Sequence, residues 1–335
     1  KKKNNMRRFY KQLIQPQLRN VQLYSYSKKI VEPATFFKDL KDKKPLKGKV
    51  AIITGSTRGI GKQIARDLAA AGANIVITGK SKEENPKLPG TIYSVAEEIA
   101  NEFGVETLPV KVNVREDEDI ENMVKETVQK WNRVDILVNN AGALWWKPME
   151  DTPMNRYDLV HEVNARATFA ACHAVLPHLK EGGSIVNMSP PVDTTWASNK
   201  IAYSISKLGM TIIAHGLADE LKDRKIAVNA LWPLTAIESY ATRNHKIGEA
   251  SSWRKPTILS DCILALSCQS SVFSKKKKLI TGKALLDEEL LRDHLNVNDF
   301  TSYRMDPDVE PPILTLSSES LVGMGLVKDN KKETL

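Results

Sequence analysis

The sequence predicts an α/β fold: a doubly wound, seven-stranded parallel sheet of Rossmann type, forming a single domain with extended N- and C-terminal tails. Three observations lead there. Short unbroken runs of branched apolar residues alternate with stretches of 3.6-residue periodicity, the pattern of strands buried on both faces beneath covering helices. A glycine-rich turn, TGSTRGIG at 54–61, joins the first such run directly to a helix. Hydrophobic residues make up 41% of 335, ample for one large core, and no internal repeat interrupts the pattern.

In chain order, KVAIITG (49–55) is the first strand and IGKQIARDLAAAG (60–72) a helix closed by Gly72. NIVITG (74–79) is the second strand. After the excursion KSKEENPKLPG, TIYSVAEEIANEFG (91–104) has apolar positions at three- and four-residue spacing and a terminal glycine, and reads as helix. Strand TLPVKVNV (107–114), helix DEDIENMVKETVQKW (117–131) and strand VDILVNN (134–140) follow. A long helix over 154–180, strand SIVNMS (184–189), a helix over 199–223 and strand IAVNALW (226–232) continue the alternation. A helix near 257–268 and strand LITGKALLD (279–287) complete it. Residues 1–31 then form a basic segment, 32–47 a lead-in, 48–295 the dinucleotide-binding domain, and 296–335 a Pro-, Ser- and Asp-rich tail.

The formal net charge of +9 resides at one end. Residues 1–31 hold nine Lys or Arg and no acid, while the remaining 304 balance 40 basic against 40 acidic side chains. A neutral body argues against a nucleic-acid-binding face. The acid-free start has the composition of a mitochondrial presequence and predicts a mitochondrial location, the alternative being an ordinary basic tail. Met6, after KKKNN, is a candidate first residue. Cys172, Cys262 and Cys268 have neither metal-site nor disulfide-framework spacing, which suits a reducing interior. The six His make no ligand cluster, so no metal is predicted, and no apolar run reaches the ~18 residues of a membrane span.

In the glycine turn, Gly55, Gly59 and Gly61 stand where the backbone must turn tightly, approach a pyrophosphate and let the helix pack on the strand. The helix start beyond offers free N–H groups and a positive dipole end to phosphate. Ser56, Thr57, Arg58 and Ile60 complete this set of cofactor-binding candidates. An NAD-binding fold usually ends its second strand in an acid that accepts from the ribose 2′-OH. Here that strand ends ITGKSK, with Lys80 at the place of the acid and Arg58 nearby in the loop. Two cations there favour a 2′-phosphate, hence NADP(H). In AYSISKLGM (202–210), Tyr203 and Lys207 share a helix face at i and i+4. A cation so placed favours phenolate and lowers a phenol pKa from ~10, the property of a general acid–base group.

The glycine loop, NNAG at 139–142, Asn164 and YSISK at 203–207 stand in the order and spacing of the short-chain dehydrogenase/reductase family, which the chain resembles over about residues 46–290. ENPKLPGTIYSVAEEIA, NMSPP and VNALWPLTAIES resemble its hydroxysteroid dehydrogenase-like branch, whose members commonly add a sterol-carrier domain; this sequence is expected to stop short of one. The resemblance implies that Tyr203 exchanges the proton on the substrate oxygen. Lys207 would lower the Tyr203 pKa and hold the nicotinamide ribose, and Asn164 would position a water in a relay from Lys207. Asn139, Ala141 and Gly142 would line the cofactor, and Asn113, in place of a more usual Asp, would lie near the adenine; Asn113 and Asn164 also suit plain helix caps. The implied reaction is hydride transfer to or from a carbonyl or secondary alcohol of a small, apolar, lipid-like molecule.

The pattern breaks in two places. The family's carbonyl-binding serine falls, by its spacing from Asn187 and Tyr203, on Pro190, which has no donor. Ser189 beside it points to the other strand face unless the backbone bulges. Either Ser189 serves, Thr194 or Ser198 substitutes, or the site is weakened. In WPLT (232–235), Leu234 stands where Pro-Gly is usual, with Thr235 still in reach of a cofactor phosphate or amide. Trp145 and Trp146, at the mouth of the cleft, either line an apolar pocket or pack on a partner subunit. The KKKK run at 275–278 is expected in a solvated loop. Two functions remain open: an active mitochondrial NADP(H)-dependent oxidoreductase, or a non-enzymatic or weakly active subunit of a larger mitochondrial assembly; as partners the sequence leaves open a homo-oligomer or such a complex.

Overall fold

Helix α1 (Pro33–Asp42) leads into β1 (Val50–Ile53), α2 (Gly59–Ala70), β2 (Asn74–Gly79), α3 (Ile92–Phe103) and β3 (Thr107–Lys111). Next come α4 (Asp117–Trp131), β4 (Val134–Asn139), α5 (Met154–His161), a π-helical turn at Glu162–Arg166, α6 (Ala167–Val175) and β5 (Leu179–Met188). The remainder is α7 (Ile201–Glu220), β6 (Ala227–Trp232), α8 (Tyr240–Asn244), α9 (Thr257–Ser267), α10 (Gln269–Val272), β7 (Lys283–Leu286) and α11 (Asp287–Leu295). This computed structural model describes residues 31–83, 89–191, 197–273 and 279–313; the basic segment 1–30, Thr194, the KKKK run and the chain beyond 313 lie outside the described residues.

Among the described residues the seven strands form one sheet in the order β3-β2-β1-β4-β5-β6-β7, every pair parallel. The expected architecture is therefore present. Continuous apolar sequence makes β1 and β4 buried along their whole length, as a sheet covered on both faces requires. One face packs Ile53 and Ile77 against α2, through its Ile64 and Leu68, and against α3 and α9, and the other packs Ile52, Leu137 and Ile185 against α4, α6 and α7. Helix limits follow the punctuation: Thr91 and Ser94 make a capping box on α3, and Gly104 ends it at φ 66°. The winding reverses between β1 and β4, and a crevice opens there at the strands' carboxyl ends.

Three stretches differ from their sequence reading. The helix expected over 154–180 is interrupted by the π-turn and stops at Val175. The lead-in contains α1, capped by Glu32 and tied through Lys41 to Asp67 of α2 (2.7 Å) and Asp261 of α9 (3.5 Å). Residues 296–313, read as tail, are built into the fold. Val297, Phe300 and Tyr303 are buried, and the Tyr303 hydroxyl donates to Asp261 at 2.9 Å. Among the described residues no helix is long and apolar enough to cross a membrane, and no cluster of His, Cys, Asp or Glu could hold a metal ion.

Candidate active site

The floor of the crevice is the glycine turn laced to NNAG. Thr54 Oγ1 accepts from the backbone N–H of both Asn140 and Ala141 at 3.0 Å, and Asn140 Nδ2 donates to the carbonyls of Thr54 (2.9 Å) and Gly55 (3.1 Å). The lacing leaves no room for a side chain at Gly61, where a Cβ would lie 2.3 Å from Gly55 O and 2.5 Å from Asn140 Nδ2. Gly55 and Gly59 take positive φ, 69° and 53°, which glycine adopts without steric cost. Ser56 is fully buried, its hydroxyl accepting from Thr78 N, so it ties the turn to β2 instead of facing a ligand. Thr57 is buried beneath Gly79 and Gly90, and Ile60 opens onto the neighbouring cleft.

Tyr203, Lys207 and Asn164 converge above this floor. The Lys207 ammonium donates to Met188 O at 2.9 Å and lies 6.0 Å from the Tyr203 ring centroid. The π-turn swings Asn164 inward. Its Oδ1 accepts from Ala143 N (2.9 Å), while its Nδ2 donates to Ala143 O (3.0 Å) and to Ser206 Oγ (2.9 Å). Asn164 Oδ1 and Lys207 Nζ both come within 3.5 Å of where a Cβ on Gly142 would stand. The three side chains predicted to act together are thus brought together.

Their electrostatics differ from the expectation. Tyr203 and Lys207 are only 5% and 4% exposed. Burial holds the Tyr203 phenol above its ordinary value and draws the Lys207 ammonium down to about 7. Desolvation disfavours the charged form of each, and at 6.0 Å from the ring the ammonium does not offset it for the phenol. Tyr203 is therefore held as a protonated acid, not a phenolate.

Ser189 does not replace the missing serine. The β5–β6 ladder keeps register from Ser184↔Ala227 to Met188↔Leu231, and Ser189 N continues it by donating to Leu231 O at 3.1 Å. No bulge turns the hydroxyl around. Ser189 is fully buried and its Oγ sits 3.5 Å from Asn187 O. Pro190, at the expected position, contributes only a carbonyl, which accepts from Thr211 Oγ1 at 2.6 Å. Ser198 is exposed.

Other predicted residues are also redistributed. Asn139 is buried, with its amide donating to Asn187 Oδ1 at 2.9 Å, so it braces β4 against β5 and does not line the crevice. Asn113 serves the start of α4, donating to Glu116 at 3.0 Å and accepting from Arg115 N. Trp145 leaves the cleft to stack with Arg156 and donate to Thr152, whereas Trp146 lines the cleft beside Tyr203. Leu234 is explained by packing: it is buried against Leu286 and Trp232, and its N–H donates to the buried Asp287 carboxylate at 3.0 Å. Thr54, Asn140 and Ser206 were missed. All three lay inside motifs read from the sequence, Thr54 in TGSTRGIG, Asn140 in NNAG and Ser206 in YSISK, but the lacing and the bond to Asn164 that give them their roles run between distant segments.

The site fits a nicotinamide dinucleotide. The glycine floor is cradled, and among the described residues two buried polar atoms at its ends lack a partner. Arg58 Nε is one, in a guanidinium that also donates to Ser81 Oγ and Gly90 O at 3.0 Å. Thr235 Oγ1, facing the cleft beyond β6, is the other. Lys80 is exposed at the end of β2. Beside this floor the cleft walled by Trp146, Trp232, Pro233 and Ile237 opens onto Tyr203.

Residues 49–246 match the family profile described as short chain dehydrogenase. Hydroxysteroid dehydrogenase-like protein 2 of Bos taurus is 38% identical over 303 residues, 86% of this chain and 70% of that protein. The Homo sapiens protein of the same description is 41% identical over 267 residues, 78% of this chain but 62% of its own length, so this chain spans only part of these relatives. Among solved structures, a short chain dehydrogenase of Mycobacterium thermoresistibile is similar with a TM-score of 0.73 and 36% identity, covering 82% of this chain and 96% of its own.

Proposed function

This chain belongs to the short chain dehydrogenase family, and on that premise we propose that it is a mitochondrial, NADP(H)-dependent oxidoreductase acting on a carbonyl or secondary alcohol of an apolar, lipid-like small molecule. The observation that carries the reading is the convergence of Tyr203, Lys207 and Asn164 where the glycine floor meets an apolar cleft. Arg58, with its Nε unpartnered among the described residues, and the exposed Lys80 support the 2′-phosphate, since Lys80, not an acid, stands directly after β2 where a 2′-OH would need an acceptor.

Gly55, Gly59 and Gly61 would hold the pyrophosphate, Arg58 and Lys80 the 2′-phosphate, Lys207 the nicotinamide ribose, and Thr235 the carboxamide or phosphate. The dinucleotide, when bound, supplies or accepts the hydride. Tyr203 gives its proton to the substrate oxygen during reduction and takes it back during oxidation. Its raised pKa keeps that proton in place until a substrate oxygen arrives. Lys207, its pKa drawn down to about 7 and so only partly charged at pH 7, would gain partners for its ammonium beyond Met188 O from the ribose hydroxyls, and Asn164 braces the backbone at Ala143 beside it. The apolar walls exclude water from the reacting atoms.

Replacing Arg58 and Lys80 together with Ala is expected to weaken NADPH binding by ~100-fold, the scale of two lost charge-assisted contacts, with little change for NADH. Direct titration of both nucleotides checks it. Equal losses, or a wild-type preference for NADH, would overturn the NADP(H) reading. The mitochondrial assignment rests on the acid-free composition of residues 1–31. Fractionation with N-terminal sequencing of the native protein should find it in mitochondria, shortened by ~25–30 residues or docked through them; a cytosolic protein intact from Met6 would refute it. The buried Ser189 favours a second reading of the same site, a weakly active subunit whose missing carbonyl donor costs about 10²–10³ in rate.

A further inference from the structure

The Lys207 ammonium donates to Met188 O at 2.9 Å and lies 3.6 Å from the sulfur of Met210, a weak acceptor. Two rings stand beside it, Tyr203 with its centroid 6.0 Å away and Trp232 at 5.3 Å. Asn164 approaches from the π-turn. Among these groups, drawn from α7, β5, β6 and the π-turn, there is no second charge. Of the two rings the indole is nearer, and indole attracts a cation more strongly than phenol does. It is also firmly seated. Trp232 ends β6, stands in register with Leu286 of β7, and packs on Leu286 and Leu234. Met188 ends the adjoining strand β5 and is paired with Leu231. Two neighbouring strand ends thus grip one ammonium, one with a carbonyl and the other with a ring.

We propose that Trp232 is a positioning residue of the reaction, its indole face being the counterpart that holds the Lys207 ammonium in place for the nicotinamide ribose. The proposal rests on the oxidoreductase reading above and adds to it the group that sustains the lysine's charge. A carboxylate at this place would also favour the ammonium, but it would bury a second ion, and its oxygens would compete with the ribose hydroxyls for the same N–H groups. The ring attracts the charge through its quadrupole and brings no such oxygen. Burial works in the opposite direction, against the charged form. Weakening the ring should therefore release the proton from Lys207.

Fluorine withdraws electron density from an indole face while changing its shape little, so the test is site-specific incorporation of mono-, di- and trifluorotryptophan at position 232 of the full chain. Carbon-13 resonances of labelled lysine, with Lys207 assigned by its absence in Lys207→Met, follow the ammonium. NADPH titrations at pH 6 and pH 8 follow the binding. The Lys207 pKa should fall stepwise along the series, by about 1 at trifluorotryptophan, a tenfold shift toward the amine. NADPH affinity should then drop about five- to tenfold at pH 8, where few of these lysines stay charged, and less than about twofold at pH 6. An unchanged or rising pKa, or equal losses at both pH values, overturns the inference. A wild type that fails to bind NADPH defeats the oxidoreductase reading itself, and the inference with it. NADPH binding together with a Lys207 titration indifferent to fluorine defeats the inference alone.

Discussion

Replacing Tyr203 with Phe is expected to lower turnover by ~10²–10⁴-fold, the range of a lost general acid–base group, while NADPH affinity stays within about twofold. The substitution removes one oxygen and keeps the ring, so the edge-on contact with Trp146 and the packing of α7 survive. Ser189→Ala provides the contrast within the same experiment. Because the Ser189 hydroxyl is buried against Asn187 O, its removal should change the rate less than about threefold. A loss near 10²-fold, the scale of an oxyanion donor, would mean that the hydroxyl reaches the substrate after all. A Tyr203→Phe enzyme that keeps its rate would remove Tyr203 from the chemistry. Single-turnover kinetics alongside nucleotide titration separates these outcomes.

Lys207→Met should disable the enzyme and stabilise it. Both consequences come from one buried ammonium. In the folded chain burial draws its pKa from an ordinary 10.5 down to about 7. Below pH 7 the group is charged both folded and unfolded, and the folded state carries the whole desolvation cost. Between about 7 and 10.5 the folded chain releases the proton and the unfolded chain keeps it, so unfolding takes up a proton and stability rises with pH. Above 10.5 the effect is gone. At ~1.4 kcal/mol per pKa step, the cost below neutrality is on the order of a few kcal/mol, partly offset by the bond to Met188 O. The Met variant should therefore melt several degrees above wild type at pH 6–7, with the gap closing toward pH 10. Its turnover should fall at least ~10²-fold and its NADPH affinity should fall too, because the ribose loses its holder. Equal or lower stability at pH 6 would show that the ammonium is well accommodated. Such a trade of stability for function is common where a buried charge serves the chemistry.

Much of this was legible along the chain. β2 and α4 cover the same residues as the strand read at 74–79 and the helix read at 117–131, because local sequence punctuates buried strands and capped helices strongly. Helix α1 and the segment after Asn296 were not legible. Phe37, Phe300 and Tyr303 find their apolar partners at distant positions, and a short amphipathic stretch says nothing of what will cover it. The Tyr203–Lys207 pair could be read from i, i+4 spacing. Its electrostatics could not, because spacing reports neighbours while the pKa values follow from how completely the site excludes water.

By itself the sequence determined the doubly wound sheet, the glycine floor and the placing of Tyr203 and Lys207 on one helix. Each is written in residues close together in the chain, where periodicity and steric freedom act. Tertiary structure alone decided which neighbours of those motifs face the cleft. Unbroken register buries Ser189, cross-strand hydrogen bonding turns Asn139 into a brace, a π-turn aims Asn164 inward, and packing separates Trp145 from Trp146. These outcomes depend on contacts between segments tens of residues apart, and direction in space is set there, not by the residues alone.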